Sequence, residues 1–347
     1  MTRVLSIAAL FAATAASFFL PSLHVSASSC SLSEPRLPSG IQNVTIAIEG
    51  QGNRVFQLST PWFESSCNTT VDGGPWCTGP PNTPRPLVFN WHGCNAHMPV
   101  VAYHEALSRV VEAGLDNNYY VITPVGSYEP LLDKYGWNTL GIKCGTPGFD
   151  DFFFAEELLK WAKENLCVDE ARIYNTGFST GAFFSYELGC RLPKTFRGIA
   201  TVAGSMAKEW EPLCSQGSGV NVISYHSKGD TTVPYEGNSQ WLSQPEMTKI
   251  FEKKAGCTMF TPSHVTFLSQ TTVCTSKTCP GDGEGPHTVE QCTVSEIEHC
   301  WIGGRSGGFK DCEKYDGDID ATSHMFAKWE REAAGDYTPF DYSNKNY

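Results

Sequence analysis

Short apolar runs alternate with amphipathic segments along most of the chain, and this alternation constrains the fold more than any other feature. The runs at residues 87–91, 119–122, 172–175, 198–203 and 220–225 have the length and composition of buried strands, whereas the segments between them have helical periodicity. Strands that alternate with helices form a mostly parallel sheet with helices on both faces. We therefore predict an α/β fold.

An antiparallel hairpin is predicted before this region, because strand-like residues 44–48 and 55–58 flank the turn residues 50–53. Helices are predicted over residues 103–113, 152–166, 181–188, 245–254 and 320–334. No repeat or long low-complexity linker interrupts the pattern. We expect residues 28–347 to form a single domain.

The N-terminus has the pattern of a secretory signal peptide. Arg3 precedes an uncharged apolar run over residues 4–20, and small residues at 25–27 form a cleavage site before Ser28. We therefore predict that residues 1–27 are removed and that the product is soluble and extracellular. In an oxidising compartment, the 14 cysteines are expected to form disulfides.

Two further features bear on secretion and on possible partners. Asn43 and Asn68 each begin an Asn-X-Thr triplet, the acceptor for N-linked glycans. The net charge of −12 argues against a nucleic-acid partner or a basic membrane-binding surface. The sequence leaves the oligomeric state and the disulfide pairing open.

A candidate nucleophile, Ser179, lies in the pentapeptide of residues 177–181, which matches the pattern G-x-S-x-G. A strand is predicted before it and a helix after it, as in a nucleophile elbow, where the flanking glycines allow a sharp turn. The competing interpretation is an ordinary strand-to-helix turn with Ser179 as the helix cap.

A serine nucleophile needs a base, and the base needs an orienting acid; in this fold they follow the serine in the order acid, histidine. Asp230 comes directly after the strand predicted over residues 220–225, so it is the predicted acid. A solvated turn residue is the alternative interpretation of Asp230. Other acids further along the chain lie in less suitable surroundings: Asp282, Asp316, Asp318 and Asp320.

The predicted base is His299, which follows a strand-like segment and lies on a loop before the last helix. The other histidines after Asp230 are His264 at the start of a strand, His287 near a turn and His324 inside the last helix. We expect His324 to be a surface or packing residue.

The oxyanion-stabilising loop is predicted at residues 92–95, directly after the strand at residues 87–91. A glycine at this point lets backbone N–H groups face the developing negative charge. The predicted donors are the N–H groups of Cys94 and Thr180. His92 is interpreted as a structural residue that holds this loop, with a role as a second base as the alternative.

Taken together, these residues resemble the secreted esterases of the polyhydroxybutyrate depolymerase and feruloyl esterase superfamily, within the α/β-hydrolases. The similarity lies in five blocks, at residues 90–94, 137–138, 149–151 with 172–179, 229–235 and 299–301. The family's nucleophile, acid and base fall on Ser179, Asp230 and His299. Thr180-Gly181-Ala182 stands where the family usually has Asn-Gly-Gly, and Ile302 where it has Pro, so the substrate is left open.

The resemblance implies a secreted serine esterase that uses no cofactor and no metal. The segment that begins at Asp316 has Ala321 and Ala327 where an EF-hand loop has its turn glycine and its closing Glu, so it does not match that calcium loop. The predicted substrate is a feruloyl ester of plant cell-wall polysaccharide; the alternatives are a polyhydroxyalkanoate polyester or acetylated xylan. Four aromatic residues are predicted to contact it: Trp91, Trp137, Tyr235 and Trp301. Two other classes stay open, a non-catalytic secreted glycoprotein that binds through the same scaffold and a serine peptidase.

Overall fold

The computed structural model describes residues 40–61, 67–68, 76–77, 83–95, 99–139, 141–281, 283, 285–295, 297–304, 312 and 319–340. The signal peptide predicted at residues 1–27 lies outside the described residues, as do the alternative acids Asp282, Asp316 and Asp318. Within the described part, no helix is both long and apolar enough to span a lipid bilayer.

The secondary structure follows the predicted alternation. The strands are β1 (Gly40–Ile48), β2 (Gly52–Thr60), β3 (Cys67–Asn68), β4 (Trp76–Cys77), β5 (Arg85–Trp91), β6 (Tyr120–Pro124), β7 (Ser127–Glu129), β8 (Lys134–Gly136), β9 (Asn138–Thr139), β10 (Ile142–Lys143), β11 (Val168–Phe178), β12 (Gly198–Val202), β13 (Asn221–Ser227), β14 (His264–Phe267), β15 (Thr272–Cys279) and β16 (His287–Val294). The helices are α1 (Val100–Ser108), α2 (Val110–Asp116), α3 (Asp151–Asn165), α4 (Thr180–Arg191), α5 (Glu211–Cys214), α6 (Gln244–Lys254) and α7 (Ala321–Ala333).

Ten strands form one sheet in the order β1-β2-β6-β5-β11-β12-β13-β16-β15-β14. The strands from β6 to β16 in this order are parallel, and the pairs at both edges are antiparallel. Two hydrophobic cores lie on opposite faces: α3, α4 and α6 cover one, and α1, α2 and α7 cover the other. Neighbouring strand residues such as Leu87 and Val88 therefore belong to different cores. The predicted parallel sheet and N-terminal hairpin are confirmed.

Among the longer elements, one helix and one strand differ from the sequence-based expectation. The helix predicted over residues 103–113 is two helices, because Arg109 has a left-handed backbone with φ 53° and ends α1. The Arg109 side chain pairs with Asp320 at the start of α7, so a tertiary contact accompanies the break. Strand β15 was not predicted, because it consists mainly of threonine, cysteine, serine and lysine and gives a weak apolar signal.

The N-terminal hairpin is joined to the body of the protein by a buried ion pair. Arg54 on β2 contacts Asp151 at the start of α3, with 2.9 Å between Nη2 and Oδ1. The second carboxylate oxygen of Asp151 accepts the backbone N–H of Asn138 at 2.7 Å. Burial raises the pKa of Asp151, and the Arg54 guanidinium opposes that shift. The pair therefore couples three separate segments of the chain.

Candidate active site

The three predicted catalytic residues follow strands that end at the same edge of the sheet. Ser179 comes directly after β11, Asp230 shortly after β13 and His299 shortly after β16. Strands β11, β12, β13 and β16 are consecutive and parallel, so their carboxyl ends lie side by side. In open α/β sheets, ligands bind outside this edge.

Ser179 occupies a strained turn between β11 and α4. Its backbone has φ 55° and ψ −121°, a region that residues with a Cβ rarely adopt. The turn is held by the Ser179 N–H, which donates to Val202 O at 3.0 Å. Helix α4 can pass this close to β5 because residue 181 is glycine: a Cβ there would lie 2.1 Å from Trp91 O.

Asp230 and His299 form a buried hydrogen-bonded pair. His299 Nδ1 lies 2.7 Å from Asp230 Oδ2, and each residue is 4% exposed. The other carboxylate oxygen, Oδ1, accepts the backbone N–H groups of Thr232 and Val233 at 2.9 and 2.8 Å. Since the carboxylate accepts from Nδ1, the ring's lone pair is on Nε2, the nitrogen that a general base uses.

A second histidine that the sequence analysis did not single out, His226, supports this pair. It is fully buried, with Nε2 3.5 Å from Asp230 Oδ2 and donating to Val233 O at 2.7 Å. Burial lowers its pKa, so the ring stays neutral. The position of His226 at the end of β13 is the sequence signal that could have identified it.

The other downstream histidines lie elsewhere. His264 is exposed on β14, and His287 begins β16, at the end of the strand opposite to His299. His324 is buried on α7 and bonds the Tyr225 hydroxyl at 2.7 Å, so it is a packing residue as predicted. Asp320, the remaining alternative acid in the described part, caps α7 by accepting the Ser323 N–H.

Ser179 and His299 line one cavity of about 70 Å³. Residues 92–95 form one wall, and Tyr103, His104 and Leu107 of α1 form another. Phe178 completes the lining, with its ring 4.9 Å from that of His299. The cavity thus joins the predicted nucleophile, the predicted base and the predicted oxyanion loop.

The predicted oxyanion loop lies directly against Ser179, the predicted nucleophile. A Cβ on Gly93 would be 3.2 Å from the Cβ of Ser179, so a side chain here would crowd the reacting oxygen. Two clamps hold the loop: the disulfide Cys94–Cys144, and paired backbone hydrogen bonds of 2.9 and 2.7 Å between Asn95 and Tyr135. The loop predicted to carry the Cys94 donor is thus held next to Ser179.

His92 fixes this loop by hydrogen bonds. Its Nδ1 donates to Gly93 O at 2.6 Å, and its Nε2 accepts the Gly126 N–H at 2.8 Å. Burial lowers its pKa to about 4, so the neutral ring persists at ordinary pH. With both ring nitrogens in use, His92 holds the loop as the structural interpretation expects.

The four aromatic residues predicted to contact substrate are not among the residues that line this cavity. Trp91 and Trp137 have no exposed surface; they pack edge to face at 5.2 Å, and Trp137 Nε1 donates to His92 O at 2.7 Å. Trp301 is buried and donates to Thr322 Oγ1, whereas Tyr235 is half-buried near Thr293. The three tryptophans therefore pack in the interior and do not line the cavity.

Residues of α1 form the part of the cavity that sequence reasoning missed. Tyr103, His104 and Leu107 share one face of the helix that follows the oxyanion loop. The sequence signal that could have identified these residues is that α1 is the next helix after the predicted oxyanion loop.

One group of possible metal ligands occurs among the described residues: Cys274, Glu290 and Cys292. The two cysteines are joined in a disulfide, and Lys328 Nζ lies 2.7 Å from Glu290 Oε2. A disulfide offers no thiolate, so this group is unsuited to a structural zinc site.

The disulfide Cys94–Cys144 gives a testable expectation. Replacing both cysteines by alanine releases one clamp of the predicted oxyanion loop. We expect kcat on p-nitrophenyl acetate to fall by roughly 10–100-fold, because a loosened loop weakens one oxyanion donor, and the full loss of such a donor lowers kcat by about 100-fold or more. The matched control removes Cys257–Cys279, which lies outside the cavity, and should lower the melting temperature without a comparable loss of kcat. Equal kcat losses in both double variants would contradict this role for Cys94–Cys144.

Sequence comparison relates the chain to fungal esterases. Over 180 residues it is 25% identical to a probable feruloyl esterase C of Aspergillus niger, an alignment that covers 51% of this chain and 58% of the relative. It is 28% identical to feruloyl esterase B of Piromyces equi over 184 residues, covering 50% of this chain and 33% of the relative. The chain therefore matches only about a third to three fifths of these relatives' length. No family model matches the sequence.

Comparison of structures gives the fold class. Acetyl xylan esterase from Aspergillus awamori superposes with a TM-score of 0.50 at 14% identity, over 81% of this chain and all of that one. The chain has the α/β-hydrolase fold, and its relatives in sequence include proteins named feruloyl esterase.

Proposed function

We propose that this chain is a secreted serine carboxylic ester hydrolase with Ser179, His299 and Asp230 as its catalytic residues. The observation that carries the proposal is the shared cavity of Ser179 and His299, with His299 oriented by the buried carboxylate of Asp230. The three side chains come from three strand ends in the order typical of this fold.

The reaction follows from these positions. His299 Nε2 takes the proton of Ser179 Oγ as that oxygen attacks the ester carbonyl carbon, and Asp230 stabilises the resulting imidazolium. The backbone N–H groups of Cys94 and Thr180 donate to the carbonyl oxygen as it becomes negative, each contributing about 3 kcal/mol to the barrier reduction. His299 returns the proton to the departing alcohol. Water then attacks the acyl-enzyme by the same route.

The proposed substrate is a feruloyl or related hydroxycinnamoyl ester of plant cell-wall polysaccharide. The named feruloyl esterases among the relatives support this choice. A polyhydroxyalkanoate polyester and acetylated xylan are the alternatives, and the structural neighbour named acetyl xylan esterase shares the fold.

Secretion is part of the proposal. The five disulfides between described residues fit an oxidising compartment. The predicted glycan acceptor Asn43 lies on the exposed edge strand β1; the side chain of Asn68 is outside the described part.

A direct comparison of substrates tests the proposal. We expect the enzyme to release ferulate from methyl ferulate, and to do so with a higher kcat/KM than it releases acetate from acetylated xylan. We expect little 3-hydroxybutyrate from polymer film. Faster release from film or from acetylated xylan would replace the proposed substrate class, and no turnover of any ester would favour a binding module.

A further inference from the structure

The cavity beside Ser179 has one buried polar side chain that the proposed mechanism does not use. His104 lies on α1, is 1% exposed and lines the cavity together with Ser179 and His299. Its ring is 6.5 Å from that of His92 on the oxyanion loop and 5.8 Å from that of Trp301, which closely follows the base. His104 therefore lies between the two parts of the candidate site.

The hydrogen bonds of His104 define what it can offer to an occupant. Its Nε2 lies 2.8 Å from the buried Oδ1 of Asn90 on β5, so the ring proton is on Nε2. The other nitrogen, Nδ1, makes no hydrogen bond to the residues that the structure describes. Burial lowers the pKa of His104 to about 3, so the ring is neutral and Nδ1 is an acceptor.

The rest of the cavity indicates the kind of group that this acceptor serves. Leu107 and Phe178 give apolar walls, and both nitrogens of His92 are already bonded to backbone. A flat ring with one hydroxyl would fit such a lining, because a buried hydroxyl needs a partner and the apolar ring does not.

We propose that this cavity takes the acyl group of the ester and that His104 Nδ1 accepts a hydrogen bond from the acyl group's phenolic hydroxyl. His104 is thus a specificity-determining residue that favours hydroxycinnamoyl esters over unsubstituted cinnamoyl esters. This inference rests on the proposed function and names its acyl specificity.

Two substitutions separate the two nitrogens of the ring. In His104→Gln, the amide reaches the position of Nε2 and keeps the contact with Asn90, but it offers nothing at Nδ1. In His104→Asn, the shorter amide lies near the position of Nδ1 and can still meet a hydroxyl. The probes are methyl p-coumarate and methyl cinnamate, which share a leaving group and differ by the one hydroxyl.

The measured quantity is the ratio of kcat/KM for the two esters, which does not depend on the fraction of folded enzyme. The native protein should prefer p-coumarate by at least about tenfold, the contribution of one buried hydrogen bond. His104→Gln should bring the ratio close to one, and His104→Asn should retain most of it.

The outcomes distinguish the two proposals. If the native protein hydrolyses both esters and His104→Gln leaves their ratio unchanged, the role of His104 is overturned and the proposed function stands. A kcat/KM ratio near one in the native protein would likewise overturn the role of His104 and leave the proposed function standing. If the native protein hydrolyses p-nitrophenyl acetate but neither cinnamoyl ester, the proposed substrate class fails and the inference fails with it.

Discussion

Replacing Ser179 by alanine is expected to lower kcat on p-nitrophenyl acetate by about 10⁴–10⁶-fold, the range found when a serine hydrolase loses its nucleophile. The hydroxyl is the one atom removed, and the turn that holds residue 179 depends on backbone bonds to Val202 and Ala182. The melting temperature should therefore stay close to that of the native protein. Activity and labelling by a fluorophosphonate probe would both be measured.

A matched control is Ser215→Ala, which removes a half-buried hydroxyl that bonds Pro212 O outside the cavity. This variant should keep native turnover and labelling. Retained turnover or labelling in Ser179→Ala would show that another residue is the nucleophile. A native protein that never reacts with the probe would support the alternative of a binding module.

The second large effect is expected from Asp230→Asn. Oδ1 of Asp230 accepts two backbone N–H groups, so the asparagine oxygen is held on that side and its NH₂ group faces His299 Nδ1. An amide N–H can only donate, so the imidazole must move its proton from Nδ1 to Nε2. The base then cannot take the serine proton, and kcat should fall about 10⁴-fold.

Asp150→Asn provides the comparison for this variant. Asp150 also accepts a backbone N–H, that of Phe153 at 3.0 Å, but it caps α3 and does not line the cavity. Asparagine is as good a helix cap as aspartate, so turnover should remain near native. A loss of less than tenfold in Asp230→Asn would mean that His299 is oriented by other contacts.

The sequence predicts the scaffold well, because strands and helices depend on local patterns. Buried strands and amphipathic helices have distinct periodicities, and the G-x-S-x-G turn places Ser179 wherever a strand leads into a helix. The pairing of His299 with Asp230 agrees with the order predicted for acid and base.

The walls of the cavity could not be predicted in the same way. Trp91 is adjacent in sequence to the oxyanion loop, yet successive strand residues point to opposite faces, and its side chain packs in the core. His104 is eleven residues after Gly93 in the chain, but α1 brings it back to the cavity. The break at Arg109 is accompanied by an ion pair with Asp320, which lies far along the chain. Such features arise from tertiary packing, which local periodicity does not encode.

The buried pair Arg54–Asp151 has a consequence for how far this protein can be shortened. The blocks that resemble the esterase superfamily begin near residue 90, so a minimal chain starting at β5 would keep every proposed catalytic group. Such a chain would lack Arg54 and leave the carboxylate of Asp151 buried without its counter-ion, a loss that typically costs about 3–5 kcal/mol. Asp151 also holds the backbone of Asn138, next to the Trp137 ring that supports the oxyanion loop. We therefore expect the hairpin to be needed for a stable fold, although it contributes no residue to the cavity.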